Sequence, residues 1–301
     1  MDTQTLKYIG KDLYKTHILK EWKRYIVFMT RCHLHKGQIN DLLDFFQTTP
    51  LRREMLKHTT SFVEQTTRAF FYKDSTWDER IAIVKNHIEY MENIFNDEAI
   101  AKLYVNGERI RLWEDVYEEQ PVVMELWFHG GQRKEGCLSL VLSLGADELY
   151  QIMFWLAPSP EDNELSLWIG ALQGTPNGSE IIKGLTKAFF GYRTKNLIFY
   201  GIRNVAAGLG CKHLYAVSNA GYYAMNHVRR DRKLKTSLDD FWQECEGQVC
   251  KDQRFFEMPI EEYRKSMEEL KPSKRAQHRR RFAKMDEITE SVTEVLNNYK
   301  K

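Results

Sequence analysis

The stretch LWIGALQGTPNGSEIIKGLTKAFFGY, residues 167–192, reads as a strand, a turn and a helix in that order. The turn QGTPNGS holds two glycines, a proline and an asparagine, residue types that interrupt regular structure. Ser179 stands as the helix cap, with Glu180 in the positive first turn. A second helix follows in TKNLIFYGIRNVAAGLG, with Leu197, Gly201, Ile202, Val205 and Leu209 on one face. Gly210 is placed as its left-handed C-cap. KHLYAV then returns as a strand ending in SNAGYY. The order strand, turn, helix, helix, strand is a crossover, so the returning strand should lie parallel to the one before the turn.

Upstream, VVMELWFH alternates, and CLSLVLSL puts Leu138, Leu140, Leu142 and Leu144 on one face, the period of a strand. LYQIMFWLAP and ELSLWIGALQ are two more strands, divided by PSPEDN. Four strands with short connections make an antiparallel meander. Residues 1 to about 118 read as helical. The clearest case is STWDERIAIVKNHIEYMENIF, where Ser75 or Thr76 caps and Trp77, Ile81, Val84, Ile88, Met91 and Phe95 recur at helical spacing. KGQINDLLDFFQTTP is a shorter helix stopped before Pro50. TTSFVEQTTRAFFY suits either state. TSLDDFWQECEG is a short capped helix, and residues 258–301 are helical with a break near Pro272. The expected fold is α+β: a helical region over 1–118, a mixed and mostly antiparallel sheet over 119–258, and a basic C-terminal helix over 259–301.

The 301 residues are 43% apolar and 29% charged, with a formal net charge of +2. No global field therefore drives the chain onto nucleic acid or membrane, and any basic patch must be local. Cys32, Cys137, Cys211, Cys245 and Cys250 form no C-x-x-C pair, which excludes a zinc ribbon or redox dithiol of that kind and fits reduced thiols. No apolar run approaches the roughly 20 residues of a membrane span, and the N-terminus lacks a signal-peptide pattern. The expected compartment is the cytoplasm, or the periphery of the inner membrane.

The order of strands and helices resembles the acyl-CoA-binding half of the GNAT acetyltransferase fold. That resemblance implies an acyl-CoA or acyl-carrier cofactor, its pyrophosphate resting on amides of the turn after the fourth core strand. Unpaired amides and a helix N-terminus favour an anion. Gln173, Gly174, Thr175, Gly178 and Ser179 occupy that place. The sequence departs from the loose Q/R-x-x-G-x-G/A signature, because Pro176 removes one donor and Gly174 and Gly178 are differently spaced. A plain connection between a strand and a helix uses the same residue types.

A wider likeness rests on the L-T-K-A helix, the G-x-R-x-K connection, the A-V-S-N strand end, the F-W-x-E turn and the tail K-S-M-E-E-x-K-x-x-x-R-x-x-x-R-R-R. These resemble the VirK/YbjX family over roughly residues 120–285. The resemblance implies a role in Gram-negative virulence, outer-membrane integrity and antimicrobial peptide resistance, and it implies a process rather than a reaction. Two functions follow as expectations. One is a GNAT-like transferase passing an acyl group to an envelope lipid, sugar or peptide. The other is a non-catalytic binding or chaperone-like protein that keeps the sheet without the cofactor site.

Four residues are candidates for catalysis. Glu125 is an acid in an otherwise apolar strand, where burial would raise its pKa; a solvent-exposed strand face is the alternative. His129 ends the same strand. Asn219 closes the strand after the crossover and is placed to bond a carrier or substrate amide, or else caps the next helix. Tyr222 is placed to protonate a leaving thiolate, or packs in the core. His33 and His35 have no carboxylate company, and no metal site is expected. Arg229 and Arg230, with Arg275, Arg279 and Arg280 on the tail helix, are candidate anion-binding residues. They would meet phosphate of a carrier or of anionic lipid, or form a solvated face. No aromatic interleaving supports nucleic acid.

Overall fold

The computed structural model describes residues 3–128, 134–175, 178–226 and 237–301. Seven helices come first: α1 (Thr3–Leu13), α2 (Leu19–Leu34), α3 (Lys36–Gln47), α4 (Pro50–His58), α5 (Ser61–Thr67), α6 (Trp77–Ile94) and α7 (Asp97–Tyr104). Thr76 starts α6 with a capping box: its side chain accepts from the Glu79 amide, and Glu79 accepts from the Thr76 amide. The ambiguous segment becomes α5, buried over its whole length. Burial decides its state, because Thr66 and Thr67 satisfy their hydroxyls on the Val63 and Glu64 carbonyls one turn back. Glu64, fully buried there, accepts from Tyr14 at 2.6 Å and Arg68 at 3.3 Å.

The helical reading through residue 118 is corrected. Residues beyond Tyr104 form β1 (Arg109–Tyr117), which pairs antiparallel with β2 (Gln120–Trp127). The two strands join through Glu118 and Glu119, both with positive φ (48° and 64°). A two-residue hairpin of that shape usually carries Asn-Gly, and Glu-Glu concealed it.

The sheet continues with β3 (Leu138–Leu144), β4 (Asp147–Pro158), β5 (Leu165–Gly174), β6 (His213–Val217), β7 (Gln248–Val249) and β8 (Phe255–Met258). Its eight strands run in the order β1-β2-β3-β4-β5-β6-β8-β7. Every neighbouring pair is antiparallel except β5 and β6, which are parallel, as the crossover requires. The fold is therefore α+β with a mostly antiparallel open sheet.

Helices α8 (Ser179–Ala188) and α9 (Thr194–Gly208) make the crossover. Gly178, not Ser179, occupies the cap position of α8, with no side-chain capping bond. On α9, a Cβ at Gly201 would lie 2.2 Å from Met124 Sδ and 3.1 Å from Leu140, so glycine lets the helix lie close on β2 and β3. Gly210 has φ +80°, as its place after α9 predicts. Helix α10 (Leu238–Glu244) follows, and α11 (Pro272–Tyr299) packs on α9.

The N-terminal helices cover the other sheet face, with Phe71 at 5.5 Å from the Trp155 ring. The helical reading of residues 259–271 is also corrected: that segment is irregular, and Pro272 opens α11. Polar ties replace helix there. Glu262 receives Tyr192 and Arg203, and Arg264 reaches Tyr200 and Asp286. Among the described residues no helix is long and apolar enough to cross a membrane.

Candidate functional site

The parallel pair is short. β5 and β6 are in register from Ser166↔His213 to Ile169↔Ala216, after which β5 runs on to Gly174 paired with β4 alone. At the point of parting, the β4–β5 register slips between Ile169 and Ala171, leaving Gly170 as a bulge. A Cβ on Gly170 would stand 1.8 Å from the Glu135 carbonyl oxygen and 2.9 Å from Trp155 Cζ3. Only glycine lets the segment after β2 press its backbone onto the sheet here. Three further bonds hold that segment. Phe71 N donates to Lys134 O (2.8 Å), Gln65 Nε2 to Gly136 O (2.7 Å), and Cys137 N to Phe154 O (2.8 Å).

This packing buries Glu135, whose residue is only 5% exposed. Its Oε1 accepts from Tyr222 Oη at 2.8 Å and from Gln173 Nε2 at 3.0 Å. Tyr222 follows β6 and Gln173 lies near the end of β5, so the carboxyl joins the two strands where they separate. Burial raises its pKa to about 7, against the opposing pull of Tyr222, Lys134 and Gln173. Tyr222 is pushed upward by burial first and by the neighbouring Glu135 charge second. An acid that titrates near neutrality beside a protonated phenol is suited to accepting and passing on a proton.

Two cavities are lined by residues that contact this pair, Tyr72 through its bridge to Tyr222 and Gln173 through its bond to Glu135. The larger, about 720 Å³, is walled by Trp155, Trp168, Tyr215, Tyr72 and Phe255. Trp168 stacks between Trp155 (6.1 Å) and Tyr215 (4.2 Å). Among the described residues its buried indole N–H meets no acceptor. Arg254 enters this cavity over the Tyr72 and Phe255 rings and pairs with Asp252 at 2.7 Å. Tyr72 also bridges to Tyr222, linking the cavity wall to the acid–phenol pair. Gln151, Gln173, Gly174 and Thr175 line the smaller, about 310 Å³. A neighbouring cavity of about 380 Å³, which shares Tyr150, is bordered by Lys183, Arg193 and Lys195.

The turn itself is partly committed. The Thr175 amide donates to Leu149 O at 3.0 Å and is spent. Gly174 packs on Tyr150, and a Cβ on Gly178 would lie 2.5 Å from Thr175 Cγ2. Pro176 and Asn177 lie outside the described residues. Of the cations bordering the neighbouring cavity, Arg193 is ion-paired with Glu244 and Lys195 lies over the Phe241 ring at 3.8 Å, which leaves Lys183 and the first turn of α8 as the groups that fit an anion.

The other residues singled out from sequence fall elsewhere. Glu125 is buried as an acid between two guanidinium groups, Arg109 (3.1 Å) and Arg111 (3.2 Å). It is not on a solvent-exposed face, yet it is remote from the seam. The row Glu125, Val141, Gln151, Gln173 crosses three strand spacings, about 14 Å. Asn219 has both side-chain atoms engaged by α10. Its Nδ2 donates to Ser237 Oγ at 3.0 Å, and its Oδ1 accepts from Leu238 N at 2.8 Å. Asn219 thus anchors the start of α10 and neither caps the short helix that follows β6 nor is free for a carrier amide. His129, Arg229 and Arg230 lie outside the described residues. On α11, Arg275 donates to Leu270 O, and Arg279 and Arg280 are exposed. Arg281 instead turns inward to Phe190 O at 2.9 Å.

Sequence reasoning missed Glu135, which sits in a charged turn that reads as solvated. The signal available was Gly170, a glycine interrupting a strand, which marks close backbone approach.

Comparison with known proteins adds the following. A family model described as "Protein of unknown function (DUF535)" matches residues 17–294. The chain is 31% identical over 129 residues to "Uncharacterized protein YbjX" of Escherichia coli (strain K12), covering 41% of this chain and 38% of that protein. It is 26% identical over 132 residues to an "Uncharacterized protein" of Haemophilus influenzae (strain ATCC 51907 / DSM 11121 / KW20 / Rd), covering 43% and 44%. The chain thus spans less than half the length of these curated relatives. No solved structure matches it.

Proposed function

The chain belongs to the DUF535 family, to which the resemblance to VirK/YbjX pointed, and from that premise we propose that it is a GNAT-like transferase. It moves an acyl group from a thioester carrier, coenzyme A or an acyl carrier, to an amine or hydroxyl of an envelope lipid, sugar or peptide. The observation that supports this reading above others is Glu135, a buried acid with a pKa raised to about 7, joined to Tyr222 where the parallel strands part.

When bound, the thioester supplies an activated carbonyl and a thiolate leaving group. Lys183, with the first turn of α8, would hold the carrier's phosphates. The aromatic cavity would take the acceptor. Glu135 Oε1 accepts the proton of the attacking amine or hydroxyl. Tyr222 Oη gives its proton to the leaving sulfur, and Glu135 returns its proton to Tyr222 along the 2.8 Å bond. The relay ends with both residues as they began. Burial excludes water from the pair and keeps the carboxyl basic enough for the task.

The test is calorimetry and thiol release with a panel of acyl-CoA thioesters and acyl carriers. Wild type is expected to bind a carrier and release thiol. Glu135→Gln should bind alike without turnover. Binding of no carrier, or full turnover by Glu135→Gln, overturns the reading.

A second reading, binding without chemistry, draws on the commitment of the Thr175 amide and of Asn219 to the fold itself. It requires that neutralising the exposed Arg279 and Arg280 abolish the envelope phenotype while Glu135→Gln leaves it intact.

A further inference from the structure

Helix α2 carries an apolar face that, among the described residues, nothing covers. Its core side is Phe28 and Cys32. On the opposite side Leu19, Trp22, Ile26 and Val27 are 42–70% exposed, and Ile18 and Leu34 extend the strip at either end. The spacing of 19, 22 and 26 keeps those three side chains on one stripe of the helix, and Val27 lies about 100° further round, on the flank that meets the neighbouring cavity. The surrounding charge is one-sided. Residues 15–36 contain six Lys or Arg and a single acid, Glu21, while the whole chain carries only +2.

Beside the stripe lies a cavity of about 200 Å³ bordered by Lys23, Arg24, Arg31 and Arg68, with Tyr14 and Thr67. Among the described residues no acid lines it. Two of the four cations already have an acid, Arg24 paired with Glu21 at 2.6 Å and Arg68 with Glu64 at 3.3 Å. Arg31 donates to Thr67 O at 3.2 Å, and its guanidinium is disfavoured by burial and by the adjacent Arg68. Four cations around a small concavity, next to exposed leucine, isoleucine and tryptophan, satisfy two demands at once. The concavity is sized for a phosphate, and the stripe is suited to an acyl boundary.

We propose that α2 is a membrane-surface helix: it lies in the headgroup plane of an anionic bilayer, with a lipid phosphate in the Lys23–Arg24–Arg31–Arg68 cavity and Leu19, Trp22, Ile26 and Val27 in the acyl boundary. A second copy of the chain is disfavoured as the occupant, because self-association would bring the two basic flanks together. The Lys and Arg stems lie along the apolar surface while their heads meet phosphate. This inference does not depend on the transferase reading.

The experiment is co-sedimentation of the full chain with phosphatidylcholine vesicles made with and without phosphatidylglycerol. Wild type should sediment only with the anionic vesicles, and less so as salt rises. Lys23→Gln and Arg24→Gln should each weaken partition about five-fold. Leu19→Ser with Ile26→Ser should weaken it about ten-fold or more at unchanged circular dichroism. These four positions are exposed, so the variants leave the core intact. Equal sedimentation with neutral vesicles, none with anionic ones, or wild-type partition by the apolar variant each overturns the proposal. So does displacement by inorganic phosphate at the vesicle phosphate concentration, which would mark a small-anion site. Dimerisation through this face, in place of vesicle binding, would also overturn it.

Discussion

Replacing Glu135 with glutamine should stabilise the protein at alkaline pH while removing the proposed thioester turnover. The carboxyl titrates near 7 in the fold, against an ordinary value of 4.5. The raised value means that the folded state binds a proton that the unfolded state has released. Stability therefore falls as pH rises from about 4.5 to about 7, and the loss is constant above that. A shift of this size corresponds to about 3 kcal/mol of strain from the buried charge. Glutamine keeps an oxygen to accept from Tyr222 and Gln173 but carries no charge to desolvate. The variant should match wild type at about pH 4 and exceed it by about 3 kcal/mol at about pH 8. Urea unfolding of both proteins at the two pH values measures this directly. A wild-type-minus-variant difference that does not change with pH refutes a buried, neutral-range titration at Glu135. With it would go the proton relay.

Three further outcomes are expected. Asn219→Ala removes the acceptor of Leu238 N and the donor to Ser237 Oγ. It should cost about 1–3 kcal/mol and raise hydrogen exchange in α10 while sparing β5; unchanged exchange in α10 would show that the anchor is idle. His213 is held by Glu257 at 2.8 Å and Asp162 at 3.0 Å, and the Glu257 bond first among these contacts raises its pKa. Its stabilisation is then fully present below the unfolded value of about 6.5 and lost as pH rises through the higher folded value, a dependence that His213→Gln should abolish in thermal unfolding. Thr76→Ala leaves the Glu79 amide without its cap and should destabilise α6 by about 1 kcal/mol, read as a lower urea midpoint at unchanged slope.

Some of this molecule is written locally. Alternation in β2 and β3, the cap at Thr76 and the left-handed Gly210 depend on neighbours a few residues apart, and each is legible by its period or residue type. The parallel return of β6 follows from chain order alone. Elements whose state was set by burial were not legible. The Glu-Glu hairpin closing β1 and the wholly buried α5 violate the usual residue preferences, and contacts far along the chain override them. The candidate site divides in the same way. Gln173 and Tyr222 stand out near the ends of two strands, but neither reading open for Asn219, a ligand amide or a cap on the next helix, names its partner, α10.

The sequence by itself determined an α+β chain with one crossover, because period and connection order are properties of the chain. Only the tertiary structure decided that Glu135 is the acid at the seam. Its pKa is raised by burial, in a segment whose backbone presses on Gly170 and against the opposing pull of Tyr222, and no local pattern encodes how closely a backbone will approach a glycine.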